Sequence, residues 1–287
     1  MDYSVPILTE LVLVTTDIER TLKIAARLST EQYQVLALLG ESSEPLTPSS
    51  IARSLSLAPS SIATALGKLK SVGAIAMKES PEDGRLELLE LSGIGRMLLA
   101  AADKALSNLL TSLWRPLSHD QRTMKLWGSA RAMSKRNLIR VNKGEVDVSS
   151  AYCNATLLSL RTCKNSLAAH GLSVNEYRVL KTCTDAVDNR RQLSTGDIGK
   201  TLVMSSSLLA QTTGALEKRG LVQRIPSLDD ARVRLIVPAE SGLSVVADAR
   251  RDVLRAMRKG LVPMSRATVD EYGRMAEQII DHYRFIL

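Results

Sequence analysis

The chain has 287 residues, of which 45% are hydrophobic and only 3% aromatic, a size that predicts two domains and a composition that favours aliphatic helix packing over a β-sandwich. Its formal charge of +8 is divided evenly between the two halves and suggests a polyanionic partner. No apolar run approaches the roughly 20 residues of a membrane span, and the N-terminus lacks a signal-peptide core, so we expect a cytoplasmic protein without a membrane partner.

The first predicted elements are helices. Hydrophobic periodicity predicts a long helix at about 4–27 and a second helix at about 30–40, for which Ser29 is the expected N-cap. After a polar loop, Thr47 is placed to cap a short third helix. Pro48 follows it at a first-turn position, where proline is tolerated.

A further helix and a β-hairpin come next. The helix at 60–71 is expected to end before Gly73, because glycine is the usual left-handed C-cap. Two extended segments, 74–78 and 86–91, are separated by the turn-rich residues 80–85. This order of elements predicts a winged helix-turn-helix. Other long helices are expected at about 96–115, 119–140, 149–170, 241–259 and 263–284.

The chain repeats this order at long range. Residues 28–36 reappear at 172–180, displaced by 144 positions, and from Leu46 onward the displacement becomes 147. The second copy predicts helices at 195–202 and 206–219 and extended segments at 221–225 and 233–237. Because a repeat of this length is a whole domain, we predict two domains, 1–143 and 144–287.

Three motifs occur in both copies. They are Leu-x-x-x-Gly at the end of the recognition helix, Asp-x-Arg in the hairpin turn, and a glycine in the helix that follows. The first copy has them at Leu69–Gly73, Asp83–Arg85 and Gly95, and the second at Leu216–Gly220, Asp230–Arg232 and Gly242. On these motifs the chain resembles the MarR family of bacterial and archaeal transcription regulators. The second copy has Pro238-Ala239 where the family has Leu-Thr, and we expect this to alter the entry into the next helix.

The resemblance implies both a fold and a function. The implied fold is mainly α with small β wings, in which two winged helix-turn-helix domains are joined by long dimerization-type helices. The chain is then a monomer that works as an internal pseudo-dimer, similar in layout to two-winged Sar-type regulators. The implied partner is double-stranded DNA. Because the two copies have diverged, we expect the binding site to be an imperfect palindrome. The implied location is the nucleoid of a bacterium or archaeon.

Small polar residues at the start of each recognition helix are the candidate DNA contacts. Such residues meet base edges and phosphates when a helix enters the major groove, and glutamine pairs with adenine. The alternative is that the serines are only N-caps. The candidates are Ser60, Ser61, Thr64 and Lys68 in the first copy and Ser205, Ser206, Ser207 and Gln211 in the second.

The wings supply a second set of candidates. Arg85 and Arg232 are expected at the wing tips, where arginine reaches a narrow minor groove. The aspartate two residues earlier is placed to orient each arginine, although an exposed pair of this kind contributes little to stability. The second wing adds Arg224 and Arg234, whereas acidic residues reduce the positive charge of the first wing. We therefore expect stronger phosphate contacts from the second half.

A basic run precedes the predicted domain boundary. Its cations are Arg122, Lys125, Arg131, Lys135, Arg136, Arg140 and Lys143, and no acidic residue lies between 121 and 144. Two interpretations stay open: a helix face that follows the DNA backbone, or a solvated face.

Effector binding is implied only by the resemblance, since family members bind small aromatic acids or sense oxidants through cysteine. Four aromatic residues are candidates for a cleft but are more typical of a packed core: Trp114, Trp127, Tyr152 and Tyr177. Cys153, Cys163 and Cys183 lack zinc-type spacing and free cysteines are usually buried hydrophobes. With no catalytic constellation in the sequence, we expect no enzyme, no metal and no cofactor.

Two other functions remain open. A tandem winged-helix subunit that binds proteins has no need for a cation at each wing tip, so the paired Asp-x-Arg motif argues against it. A non-specific nucleoid protein fits the serine-rich, arginine-poor recognition helices.

Overall fold

The computed structural model describes residues 2–42, 45–79, 87–134, 148–227, 230, 232–260 and 266–286. These residues are mainly helical, with two small antiparallel sheets. The helices are α1 Ser4–Ala26, α2 Thr30–Glu41, α3 Pro48–Leu55, α4 Pro59–Ser71, α5 Gly93–Leu113, α6 His119–Ser134, α7 Val148–Ala168, α8 Val174–Asp188, α9 Thr195–Leu202, α10 Ser206–Lys218, α11 Glu240–Gly260 and α12 Arg266–Ile286. The strands are β1 Ile75–Glu79, β2 Glu87–Leu91, β3 Leu193–Ser194, β4 Val222–Pro226 and β5 Arg234–Pro238.

The chain forms two compact units that do not follow the repeats exactly. The first unit contains Leu13–Arg161 and Gly260–Val262, and the second contains Met1–Val12, Thr162–Lys259 and Pro263–Leu287. Helices α1 and α7 therefore each begin in one unit and end in the other. The predicted domain boundary, between residues 143 and 144, lies outside the described residues and stays a prediction.

The first unit contains the winged helix-turn-helix of the first repeat. Ser29 and Thr47 start α2 and α3 with capping boxes, in which each hydroxyl accepts from the backbone three residues on. Strands β1 and β2 pair antiparallel, from Ile75 opposite Leu91 to Glu79 opposite Glu87. The core side chains of this unit include Ile18, Leu22, Tyr33, Leu36, Ile51, Ile62, Leu69, Leu89 and Leu106.

The second unit repeats this arrangement. Ser173 and Ser194 form the same capping boxes at the starts of α8 and α9. The short strand β3 adds an edge that the sequence did not predict, giving the strand order β3-β5-β4. The core includes Leu8, Tyr177, Leu180, Ile198, Leu216, Ile236, Val253, Met275 and Ile279. The predicted fold class, mainly α with small β wings in two winged helix-turn-helix modules, is confirmed.

One glycine in each repeat, Gly95 or Gly242, has the same structural role. A Cβ atom on Gly95 would lie 2.1 Å from the carbonyl oxygen of Ala74, and one on Gly242 would lie 2.1 Å from that of Leu221. The helix after the wing therefore crosses the backbone that leaves the recognition helix too closely for any side chain. This contact explains why the glycine recurs at the same place in each copy.

The change at Pro238-Ala239 leaves the start of the helix in place but alters the hydrogen bonds at its entry. Helix α5 begins at Gly93 and α11 at Glu240, which are equivalent positions. Ser92 Oγ donates to the carbonyl of Gly73 at 2.6 Å, and in the second repeat Ser241 Oγ donates to the equivalent carbonyl of Gly220 at 2.8 Å. A serine two positions later thus supplies the hydrogen bond that Ala239 cannot make.

Within the described part of the chain, no helix combines the length and apolar character needed to cross a bilayer.

Candidate nucleic-acid interface

The recognition helix of the first module, α4, presents its predicted polar residues on one side. Ser60, Thr64 and Lys68 are exposed and Ser61 is half-buried, while Ile62, Leu66 and Leu69 on the opposite side are buried. The four polar residues line one notch of about 360 Å³ beside the start of α2. The N-cap of α4 is Ala58, which makes no side-chain cap bond, so Ser60 and Ser61 are not N-caps.

In the recognition helix of the second module, α10, one candidate serine caps the helix and the other candidates are exposed. Ser205 is the N-cap and accepts from the backbone of Leu208 at 3.3 Å, so the capping interpretation holds for this serine. Its hydroxyl also lies 3.3 Å from that of Ser207. Ser206, Ser207 and Gln211 are exposed on the surface of the helix.

A groove runs along the second helix-turn-helix. Its volume is about 1030 Å³, and it lies between α9, the first half of α10 and β4. Its lining includes Lys200, Ser205, Ser206, Arg224 and Arg284. Cations and hydroxyls at this position give the module a surface that suits anionic oxygens.

The predicted wing residues of the second module differ in their contacts. Arg224 Nε forms an ion pair with Glu217 at 3.0 Å, and its Nη2 donates to Thr213 Oγ1 at 3.0 Å. Arg232 and Arg234 are exposed, and neither forms an ion pair with any described residue. Two wing arginines are thus available for phosphate, and the third is already engaged.

The aspartate of the Asp-x-Arg motif does not orient the arginine side chain in the second wing. Asp230 Oδ1 instead accepts from the backbone N–H of Arg232 at 2.9 Å, which closes the turn. Asp83 and Arg85 of the first wing lie outside the described residues. Elsewhere in that wing Lys78 pairs with Glu90 at 2.7 Å, so this lysine is neutralised.

Comparison with known families decides the classification. The profile of the MarR family matches residues 28–86 and 172–233, one stretch in each repeat. Both repeats belong to the MarR family. Compared with curated proteins, the sequence has no significant match.

Solved structures similar to this chain are MarR regulators of about half its length. AbsC from Streptomyces coelicolor is 18% identical over 51% of this chain and 98% of its own, with a TM-score of 0.43. CouR from Rhodococcus jostii RHA1, bound to p-coumaroyl-CoA, is 23% identical over 47% of this chain and 92% of its own, with a TM-score of 0.41. MarR from E. coli is 18% identical over 40% of this chain and 86% of its own, with a TM-score of 0.35.

The described members of the basic run before the domain boundary do not share one positive face. Lys125 is 2% exposed, with its Nζ 5.8 Å from the centroid of the Tyr152 ring. Arg122 folds back, and its Nε donates to the carbonyl of Leu117 at 2.9 Å. Arg131 is exposed. The other members, Lys135, Arg136, Arg140 and Lys143, lie outside the described residues.

Of the four aromatic candidates for an effector cleft, two pack against each other within the first unit. Trp114 and Tyr152 are buried in the first unit, with their rings edge to face at a centroid distance of 4.7 Å. Trp127 is 57% exposed, and Tyr177 is buried in the second unit. The first pair is a core contact.

The three cysteines are buried, as the sequence favoured. Burial raises the pKa of both Cys163 and Cys183 to about 12. Because the thiolate is the reactive form, these two side chains are poorly placed to sense an oxidant.

The sequence did not indicate two arginines that bind the C-terminal ends of α3 and α9, the first helix of each helix-turn-helix. Arg161 donates to the carbonyl of Leu55, the last residue of α3, at 2.6 Å. Arg178 donates to the carbonyl of Leu202, the last residue of α9, at 2.5 Å. Arg161 and Leu55 are 106 residues apart in sequence, so no local pattern in a single sequence reveals the contact.

Proposed function

We propose that this protein is a transcription regulator that binds double-stranded DNA as a covalent pseudo-dimer and recognises an imperfect palindrome. The observation that carries the proposal is the exposed face of small polar residues on α4 and α10, the recognition helices of two MarR modules. Helices of this kind insert their N-terminal ends into the major groove, where short polar side chains reach bases and phosphates.

The two recognition helices offer different groups to a base at the same position. Thr64 and Gln211 are equivalent, since they are displaced by 147 residues. The hydroxyl of Thr64 already donates its hydrogen to the carbonyl of Ser60 at 3.0 Å. Its oxygen can still accept a hydrogen bond, and its methyl group can contact a thymine methyl. The exposed amide of Gln211 suits the N6 and N7 edge of adenine. Two unequal half-sites follow.

Phosphate binding is expected to be stronger in the second module. Arg232 and Arg234 are exposed cations without an ion-pair partner among the described residues. In the first wing, Lys78 is paired with Glu90, and Glu87 is exposed. Each phosphate neutralised by a free arginine releases counterions, whereas a paired cation contributes less.

The pseudo-dimer is supported by hydrogen bonds that join the repeats. The hydroxyl of Tyr33 lies within hydrogen-bond distance of Ser150 Oγ, at 2.9 Å, and that of Tyr177 lies 3.2 Å from Ser4 Oγ. Each bond lies within one compact unit but connects residues of different repeats. A fused pair of modules forms without the concentration dependence of a dimer, and helix-turn-helix pairs read half-sites about 10 bp apart.

The proposal is tested by selecting bound sequences from random duplex DNA with the purified protein, followed by titrations across salt concentration. We expect an enriched motif of two unequal half-sites about 10 bp apart. Exchanging Gln211→Thr should make the two half-sites more alike, whereas the control Ser207→Thr should change them less.

Other outcomes would contradict the proposal. Steep salt dependence without an enriched motif would favour a non-specific nucleoid protein. Absence of binding even at low salt would favour a tandem winged-helix subunit that binds proteins. An exactly symmetric motif would contradict the unequal half-sites while leaving DNA binding intact.

A further inference from the structure

The turn inside each helix-turn-helix adopts an uncommon conformation. Ser56 and Val203 follow α3 and α9 directly, and both have positive φ angles, of 52° and 48°. This left-handed region is unusual for residues other than glycine, and most of all for β-branched valine. Such a conformation persists only where the surrounding structure holds it. In both modules the recognition helix begins three residues later, at Pro59 and Ser206.

In the second unit a buried guanidinium holds the peptide before this turn. Arg178 is 2% exposed, and its Nη2 donates to the carbonyl of Leu202 at 2.5 Å. Its Nε donates to Thr9 Oγ1 at 3.1 Å and its Nη1 to Asn175 Oδ1 at 2.9 Å. Burial lowers the pKa of Arg178 to about 10, so the side chain stays charged at neutral pH.

Arg178 forms no ion pair with any described residue. A buried charge without a carboxylate is an expensive way to stabilise a core. The C-terminal end of a helix carries partial negative charge, which favours a cation there. This arrangement is therefore better explained by the geometry it enforces on the end of α9 than by a gain in stability.

A second arginine acts on the same helix end. Arg284, near the end of α12, donates through Nε to the carbonyl of Lys200 at 3.0 Å and through Nη2 to that of Thr201 at 2.7 Å. Together with Arg178 it satisfies the last three carbonyls of α9, which have no partners within the helix.

In the first unit, an arginine at a non-equivalent position binds the last carbonyl of α3. Arg161 on α7 donates through Nη1 to the carbonyl of Leu55 at 2.6 Å and through Nη2 to Gln34 Oε1 at 2.7 Å. Gln34 is the equivalent of Arg178, being displaced by 144 residues. The two modules thus share the capped carbonyl but take the guanidinium from non-equivalent helices, so the contact is the common feature and the residue is not.

We propose that Arg161 and Arg178 are positioning residues for DNA binding, each fixing the turn before its recognition helix to a helix from the other repeat. That helix is α7 in the first unit, which carries Arg161, and α1 in the second, which carries Thr9. The inference rests on the proposed function. Because contacts to bases tolerate displacements of only about 0.5 Å, a loosened turn weakens specific recognition without removing any phosphate contact.

The test compares Arg161→Gln and Arg178→Gln with Arg274→Gln. Arg274 is exposed on α12 and paired with Glu271, so the control makes the same charge change away from both turns. The probes are the duplex enriched by selection and a duplex of mixed sequence. We expect affinity for the enriched duplex to fall about tenfold, while the slope of affinity against salt concentration stays that of the wild type. The control should change neither.

Two further measurements separate positioning from general stability. Amide exchange at Leu57 and Met204, which close the two turns by donating to the carbonyls of Ala52 and Gly199, should accelerate in the matching variant while core amides stay protected. Arg161→Lys keeps the charge and one donor, and should recover part of the lost affinity. If Arg178→Gln does not fold, Thr9→Val is tested in its place, because it removes only one of the acceptors of Arg178.

Three results would overturn the inference. The first is unchanged affinity in both glutamine variants. The second is a salt slope lowered by about one, which would make the arginine a phosphate contact. The third is unchanged exchange at Leu57 and Met204. If the wild type binds neither duplex, the proposed function fails, and the exchange measurement alone decides whether these arginines hold the turns.

Discussion

Tyr33 and Tyr177 occupy the same position in the two repeats, and each forms a hydrogen bond with a serine that the other repeat supplies. The bonds are Tyr33 to Ser150, at 2.9 Å, and Tyr177 to Ser4, at 3.2 Å. Both tyrosines are buried, and Tyr33 also donates to Asp103 at 2.8 Å. Each unit is therefore completed by a helical segment from the other repeat, and neither repeat contains a whole unit.

The Tyr33–Ser150 bond should contribute measurably to stability. We expect Tyr33→Phe to lower the free energy of unfolding by about 1–3 kcal/mol, because a buried hydroxyl with two partners is lost. Tyr177→Phe should cost less, about 1 kcal/mol, since one bond to Ser4 is lost. Urea denaturation of both variants, with a double-mutant cycle of Tyr33→Phe and Ser150→Ala, measures the coupling. A coupling energy of zero would show that the bond does not join the repeats energetically.

Separating the repeats should unfold them. The second unit includes Met1–Val12, and the first includes residues 148–161 of α7. Fragments 1–143 and 144–287, prepared separately, should show low helicity by circular dichroism and recover it on mixing at a one-to-one ratio. Two fragments that fold cooperatively on their own would contradict the reciprocal exchange.

Asp2 should make the second unit sensitive to acid. Its carboxylate accepts from Arg250 Nε at 2.5 Å and from the backbone N–H of Ser4 at 2.9 Å, and it pairs with Lys181 at 3.1 Å. Burial by itself would raise the pKa of Asp2. The Arg250 bond, the Ser4 amide and the charge of Lys181 outweigh this effect and hold the pKa well below its usual range.

A depressed folded-state pKa stabilises the protein above the unfolded pKa, about 3.9, and this contribution is lost as the pH falls below it. Asp2→Asn should therefore cost about 1–3 kcal/mol at pH 7, and its difference from the wild type should narrow below pH 4. Urea denaturation at several pH values measures this, with Asp248→Asn as a control in an exposed pair with Arg251. A gap that is constant down to pH 3 would contradict the assignment.

The elements of both modules could be predicted because their signals are local. Ser29 and Thr47 start helices through bonds to residues three positions away, and Gly73 ends one with a φ of 68°. The repeat strengthened each prediction, since the same pattern had to explain two segments. The candidate residues on α4 were also accessible to sequence reasoning, because helical periodicity separates them from Ile62, Leu66 and Leu69.

Contacts between distant segments could not be predicted in this way. Arg161 and Lys125 look alike in the sequence, as cations on helices, yet one caps α3 and the other is buried near Tyr152. The motif predicts a bond from the Arg232 side chain to the Asp230 carboxylate, whereas this carboxylate accepts from the Arg232 backbone N–H. In each case the position of a partner outside the local element decided the outcome.

The cysteines should be unreactive in the folded protein. Cys153 and Cys163 are fully buried and Cys183 is 1% exposed, and burial raises the pKa of the latter two to about 12. A thiol-specific disulfide reagent at neutral pH should react slowly with the native protein and rapidly after unfolding in urea. Rapid reaction of the native protein, or a loss of DNA affinity after mild oxidation, would restore the redox-sensor interpretation.

The wing arginines should differ in their contribution to DNA binding according to their existing contacts. Arg232→Ala and Arg234→Ala should each lower the salt slope of binding by about one, because each removes a free cation. Arg224→Ala should lower it less, since this side chain already pairs with Glu217. Titrations across salt concentration give the three slopes. Three equal losses would show that DNA displaces Glu217 from Arg224.

Glu217 provides the complementary test. It lies near the end of α10 and holds Arg224 at 3.0 Å, so Glu217→Gln removes an acidic group and releases a cation on the same surface. We expect tighter binding to duplex DNA and a salt slope increased by up to about one. Glu176→Gln is the matched control, because Glu176 pairs with Arg219 instead of a wing residue. If both variants strengthen binding equally, the effect is one of net charge alone, and Arg224 is not a latent phosphate contact.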